Sequence, residues 1–254
     1  FQDNVIICPP TFAMYEHSAN IHGIEVKEVP LTESFGLNTN QVKTVQDKGT
    51  KIIFVCSPNN PTGNLMDVED ILVLCKSLQD MALIVVDETY IDYAKTRATI
   101  LPHLQNNPNL VVLRTLSKSH AAAGVRCGVA VAQSSIIDLI LKTLPPYPIS
   151  QMVVETVRKI LMPSNLEHQV YMRRELLNRK ERFVADLNTV ASVEKVYPSD
   201  ANYILTKVKD SQSLIEECIN NNIVIRDQSH QPKLENCVRI SIGSDEEMNK
   251  LLSV

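Results

Sequence analysis

The chain has 254 residues, 44% of them hydrophobic and 21% charged, and a formal net charge of −4. That length exceeds one ordinary compact domain and suits two, while the acidic balance gives no electrostatic reason to bind nucleic acid or an anionic membrane. No apolar run approaches the roughly 20 residues that cross a bilayer, and the start Phe1-Gln2-Asp3-Asn4 has neither the basic end nor the apolar stretch of a secretory signal.

In chain order, short apolar runs alternate with helix-length segments. The runs predict strands at 4–8, 25–29, 51–56, 82–87, 110–115 and 127–132, with helices near 11–22, 38–48, 67–79 and 134–143. The central runs, such as Lys51-Ile-Ile-Phe-Val-Cys56 and Ala82-Leu-Ile-Val-Val-Asp87, are apolar throughout, the pattern of strands buried on both faces. Helical crossovers between such strands give a mainly parallel sheet flanked by helices, an α/β fold. At Pro145-Pro146-Tyr147-Pro148 three prolines in four residues break the pattern. Beyond them the sequence predicts helices at 150–161 and about 166–190, then strands near 193–197, 201–208, 223–226 and 237–242, with a helix near 211–221. The expectation is a large domain over 1–148 and a smaller α+β domain over 149–254.

Six cysteines (Cys8, Cys56, Cys75, Cys127, Cys218 and Cys237) show no C-x-x-C spacing, and several sit in apolar runs. They read as buried free thiols, which fits a reducing cytoplasm. The six histidines show no ligand spacing, so no metal site is expected.

In open α/β sheets, ligands bind beyond the carboxyl ends of the parallel strands. Three of those ends carry polar clusters: Ser57-Pro-Asn-Asn-Pro-Thr-Gly63, Asp87-Glu-Thr-Tyr90 and Thr115-Leu-Ser-Lys118. Singly, each has a plain explanation. The first is good turn chemistry, Asp87 or Ser117 could cap a helix, and Lys118 could lie in solvent. Their occurrence together, in this order, is harder to assign to chance.

The set resembles the fold-type-I pyridoxal-phosphate enzymes and, within them, the histidinol-phosphate aminotransferase family. The resemblance rests on Cys-Pro-Pro-Thr-Phe-Ala-Met-Tyr at 8–15, Cys-Ser-Pro-Asn-Asn-Pro-Thr-Gly at 56–63, Asp-Glu-Thr-Tyr at 87–90 and Arg-Thr-Leu-Ser-Lys at 114–118. It continues through Ala-Gly-Val-Arg-Cys-Gly at 123–128, Pro-Tyr-Pro-Ile-Ser at 146–150, Asn-Tyr-Ile-Leu at 202–205, Ile-Arg-Asp-Gln at 225–228 and Val-Arg-Ile-Ser-Ile-Gly at 238–243. By resemblance, Lys118 condenses with the aldehyde of pyridoxal 5'-phosphate and then shuttles the proton. Asp87 pairs with the pyridine nitrogen and keeps it protonated. Tyr90 and Asn60 hold the phenolic oxygen, and Ser117 and Arg126 hold the phosphate. Phe12 matches the aromatic that stacks on the ring, core packing being its other reading. Arg239 and Arg226 match the family's grip on the substrate anion, and Asn202 borders the site. Alternation along 238–242 agrees for Arg239, since Val238, Ile240 and Ile242 share one face and Arg239 takes the other.

The resemblance implies transamination between L-histidinol phosphate and 2-oxoglutarate, giving glutamate, in a cytoplasmic homodimer. The alternatives are an aromatic aminotransferase, a threonine-phosphate decarboxylase, or a truncated non-catalytic subunit. Ser119-His-Ala-Ala-Ala-Gly124 replaces the family's usual aromatic, small residue and leucine after the lysine, and leaves His120 either a polar neighbour of the cofactor or a surface residue. The resemblance also implies a segment ahead of Phe1. That segment would carry an N-terminal arm, a glycine-bearing helix start at the phosphate and a tyrosine lent across the dimer.

Overall fold

The computed structural model describes residues 3–95 and 98–254. The chain enters on a buried strand, β1 (Asn4–Ile7), turns through helix α1 (Met14–Ile21) and returns alongside as β2 (Glu25–Glu28). Helix α2 (Thr39–Val45), capped by the Asn38 side chain, leads to β3 (Thr50–Cys56) on the other flank of β1. Helix α3 (Val68–Ser77), capped by Asp67, leads to β4 (Leu83–Asp87), followed by β5 (Leu110–Thr115) and β6 (Gly128–Ala132). The sheet runs β2-β1-β3-β4-β5-β6, parallel throughout except for the antiparallel last strand. Its apolar runs supply the core: Ile53, Val55, Ile84, Val86, Leu110 and Val112 are almost wholly withdrawn from solvent. Burial of such side chains is the dominant favourable term in folding, at roughly 25 cal/mol per Å² of apolar surface.

Helices α4 (Ser134–Thr143), α5 (Gln151–Ile160) and α6 (Pro163–Leu187) follow the sheet. Strand β7 (Val193–Val196), strand β8 (Tyr203–Val208), helix α7 (Ser211–Asn220), strand β9 (Arg226–Asp227), strand β10 (Cys237–Ser241) and helix α8 (Asp245–Leu252) complete the chain. These four strands form an antiparallel sheet in the order β7-β8-β10-β9. One face packs Ile204, Val238 and Ile240 against Phe183 and Leu187 of α6, Cys218 of α7 and Met248 of α8. On the other face Leu205 and Cys237 join the core of the first sheet with Ile6, Leu31 and Ile53.

Three local expectations shift. The long helix begins earlier, at Pro163, where a proline's fixed φ suits the first turn. The strand expected at 223–226 shrinks to the pair Arg226–Asp227. There Asn222 (φ 55°) turns the chain at the end of α7 and the Ile223 N–H returns to the Cys218 carbonyl, so this stretch is spent on a helix terminus. Helix α8 was not anticipated. Its start is a capping box, in which Ser244 Oγ accepts from the Glu247 N–H and Glu247 reaches back to the Ser244 N–H.

Candidate active site

The first sheet delivers four strand ends to one place. After β1 comes the segment bearing Phe12, after β3 the Ser57–Gly63 turn, at the end of β4 Asp87, and after β5 the Thr115–Lys118 turn. Parallel pairing sets Cys56 beside Asp87 and Asp87 beside Leu113, so these ends are level. A cavity of about 390 Å³ opens there, lined by Phe12, Asn60, Asp87, Tyr90, Ser117, Lys118, Arg126 and, from β10, Arg239. Eight of the ten residues singled out from sequence therefore meet around one space. Arg226 and Asn202 do not line it. Arg226 is exposed on β9 directly across from Arg239, and Asn202 is half-buried, its carbonyl accepting from the Ile242 N–H.

The second sheet is fastened to this region. Tyr203 is fully buried and its hydroxyl donates to the Asn59 carbonyl at 2.6 Å. Gly63 (φ +82°) closes the Asn60 turn against Ser199, where a Cβ would lie 2.5 Å from the hydroxyl oxygen and 3.2 Å from the Cα. Only glycine combines that φ with that approach. The Asn59 side-chain amide donates to the Pro10 carbonyl at 2.9 Å and to Thr62 Oγ1 at 2.7 Å, tying two of the loops that form the cavity floor.

Asp87 is nearly buried, and both its oxygens are engaged. Oδ1 accepts from the Thr89 N–H at 2.9 Å and Oδ2 from the Tyr15 hydroxyl at 2.8 Å. Tyr15 was not among the residues singled out from sequence. Its ring stacks on Phe54 at 4.7 Å and meets the edge of Phe12 at 5.5 Å, and burial holds its phenol well above the ordinary range. The phenol of Tyr90 is also pushed up, to about 12, by burial, with Arg239 pulling the other way.

Lys118 is exposed, and its Nζ lies 5.5 Å from the centre of the Tyr90 ring. Partial burial lowers its pKa and Arg239 lowers it further, while Asp87 opposes. Arg239 stands over the Tyr203 ring at 5.1 Å and donates from Nη1 to Asn60 Oδ1 at 2.6 Å. Its Nε is buried without a partner among the described residues, a donor arrangement that favours an incoming acceptor. Arg126 adopts a left-handed backbone (φ 56°), and its Nη1 donates to the Ala123 carbonyl at 2.9 Å.

An amine, a carboxylate, a phenol, an amide and two guanidiniums around one cavity suit a ligand that has an electrophilic carbon, a basic ring nitrogen and an anionic tail. The sequence comparisons name such a system. The family model for aminotransferase class I and II matches residues 2–254.

The chain belongs to the class I and II aminotransferases.

Aminotransferases of this class work through pyridoxal 5'-phosphate. A histidinol-phosphate aminotransferase of Flavobacterium psychrophilum is 44% identical over 252 residues, covering 99% of this chain and 71% of that protein. The crystal structure of the histidinol-phosphate aminotransferase of Clostridium acetobutylicum superposes with a TM-score of 0.88 at 21% identity, over 99% of this chain and 76% of that one. That of Sinorhizobium meliloti, solved in complex with pyridoxal-5'-phosphate, superposes with a TM-score of 0.85 at 20% identity, over 99% and 69%. At these identities the two structures establish the fold, a fold-type-I aminotransferase architecture. No helix among the described residues is long and apolar enough to cross a membrane, and no cluster of three or more His, Cys, Asp or Glu is placed to hold a metal ion among them. The residues lining the cavity fit the cofactor of the family, since each polar feature of pyridoxal phosphate has a candidate partner of complementary chemistry there.

Proposed function

We propose that this aminotransferase exchanges the amino group between L-histidinol phosphate and 2-oxoglutarate, a step of histidine biosynthesis. The observation that carries the reading is the shared cavity of Lys118, Asp87, Tyr90, Asn60 and Arg126, and the substrate is taken from the names of relatives such as the 44% identical one. Bound pyridoxal phosphate supplies an aldehyde that carries the amino group and a ring that withdraws electrons from the reacting carbon.

Within that frame each side chain has a task. Asp87 would hold the ring nitrogen in its protonated form, because an adjacent carboxylate favours the charged state. Tyr90 and Asn60 would hold the phenolic oxygen, Ser117 and Arg126 the phosphate, and Phe12 one face of the ring. Lys118 would hold the cofactor at its aldehyde carbon, give that carbon up to the substrate's amine, and with its own amine so freed would move the proton at the substrate's amine-bearing carbon. Its lowered pKa supports that role, since a general base must be available in its neutral form near working pH. Arg239 would exchange Asn60 for the substrate's anionic group, helped by Arg226 from the facing strand, and a guanidinium fork suits phosphate better than a lysine point charge. Asn202 would border the pocket from the start of β8. We assign the cofactor-holding domain to residues 1–148 and the smaller domain to 149–254, the protein working as a homodimer in the cytoplasm. Six free cysteines support that reducing location.

An assay offering histidinol phosphate, aromatic amino acids and threonine phosphate, each with 2-oxoglutarate, tests the substrate. Glutamate should form fastest from histidinol phosphate. Turnover of aromatic amino acids alone would move the assignment to another aminotransferase.

A further inference from the structure

Directly behind the cavity floor lies a charged network that the proposed reaction does not use. Along β4 and β5, alternation turns Asp87 and Thr115 toward the cavity and their neighbours Glu88 and Arg114 away from it. The Glu88 side chain is only 1% exposed, and its carboxylate accepts from the Ile100 N–H at 2.7 Å, from Thr99 Oγ1 at 2.9 Å and from Arg114 Nε at 2.8 Å. Arg114 continues to Asp92, whose Oδ1 lies 3.4 Å from Nη1. Asp92 then spends its other oxygen on Ser119, whose hydroxyl donates to Oδ2 at 2.5 Å. Ser119 is buried and directly follows Lys118 in the chain.

We propose that Ser119 and Asp92 are positioning residues for Lys118. Anchored to the Glu88–Arg114 pair, they fix the turn that carries the lysine relative to the strand end that carries Asp87. Within the backbone the turn is closed by the Ala121 N–H on the Lys118 carbonyl and the Ala122 N–H on the Leu116 carbonyl, each at 3.0 Å, and Ala121 sits at φ 52°. The Lys118 ammonium makes no hydrogen bond among the described residues, so the orientation of its turn is set by its neighbours. A hydrogen bond to a carboxylate that is itself ion-paired is the strong kind. His120 Nδ1 lies 2.8 Å from the same hydroxyl. With Nδ1 protonated it donates to the serine oxygen and leaves the serine proton for Asp92. The order carboxylate, hydroxyl, imidazole differs from a nucleophilic triad, in which the imidazole stands between the other two. The serine is thus placed to hold and not to attack. Ser119 and His120 fall in the stretch that departs from the family pattern after the lysine, while Asp92 lies 27 residues upstream of Ser119.

The inference rests on Lys118 being the cofactor lysine, and the test separates the two claims. The pH profile for forming the absorbance band of lysine-bound pyridoxal phosphate reports the titration of the Lys118 amine. In the Ser119→Ala protein the midpoint should move up toward that of an ordinary lysine. Retention of pyridoxal phosphate should weaken about ten-fold, the worth of one hydrogen bond to a charged group. The melting temperature should stay near that of the parent, and Ser119→Thr, which keeps the hydroxyl, should restore both values. Asp92→Asn provides the same readout if Ser119→Ala fails to fold. An unchanged profile and retention in folded variants would overturn the positioning role alone. A parent protein whose band is insensitive to Lys118→Ala would overturn both claims.

Discussion

The hydroxyl of Tyr15 illustrates how one atom can matter at this site. It occupies one of the two Asp87 oxygens in a buried setting, while its ring is held between Phe54 and Phe12. Tyr15→Phe keeps the ring packing and removes the donor, leaving a buried carboxylate one hydrogen bond short, a deficit of about 1–3 kcal/mol. We expect kcat/KM to fall by ten-fold or more on the scale of about 1.4 kcal/mol per decade, and the melting temperature to fall by a few degrees from the same deficit. Steady-state kinetics beside a thermal melt would check this, and unaltered kinetics would remove Tyr15 from the site. The sequence pointed to Asp87, Tyr90 and Lys118 only jointly, through polar clusters recurring at the ends of apolar strands in the order of a known family, since each cluster alone has a plain explanation. Tyr15 was not legible for a different reason. It reads as an amphipathic helix residue, and its partner is 72 residues away in the chain. The Ser119–Asp92 contact was hidden in the same way, across 27 residues.

Among the elements, legibility followed the apolar runs. Ile-Ile-Phe-Val-Cys at 52–56 and Leu-Ile-Val-Val-Asp at 83–87 become β3 and β4, as expected of short, largely buried five-residue runs rich in β-branched residues. The Ile223-Val224-Ile225 run misled because composition alone does not distinguish a strand from a helix terminus. Val224 ends up 81% exposed, and only Arg226 and Asp227 pair with β10. Helix α8 carried a readable signal, Ser244 followed three residues later by Glu247, but its polar composition concealed the helix from a search based on apolar periodicity. The antiparallel turn of β6 was likewise beyond reach, since direction is set by the connection through 116–127 and not by the strand's own residues.

At the scale of the whole molecule, the buried acids govern the response to alkali. Burial raises the thiols of Cys8 and Cys56 from 9.0 to about 12, and the phenols of Tyr90 and Tyr93 from 10.0 to about 12. The folded protein keeps these protons where the unfolded chain releases them. Their contribution is therefore complete below about pH 9 and declines as pH rises toward 12. Lys180 acts in the opposite sense. Its ammonium donates to the Ser199 and Ala201 carbonyls, and burial lowers it from 10.5 to about 8, so between those values the unfolded chain binds the extra proton and stability gains from this one group. The acids outnumber it. The urea midpoint should be lower near about pH 11 than near pH 8, and a midpoint that held or rose over that interval would contradict the assigned burial.

The functional expectations depend on the cavity at the strand ends holding pyridoxal phosphate through Lys118. The most direct measurement is the absorbance spectrum of the protein mixed with pyridoxal phosphate, recorded for the parent and for Lys118→Ala. The account predicts a band of lysine-bound cofactor in the parent that is lost in the variant, although Asp87, Tyr90, Asn60 and Arg126 remain in place. Identical spectra from the two proteins would contradict it.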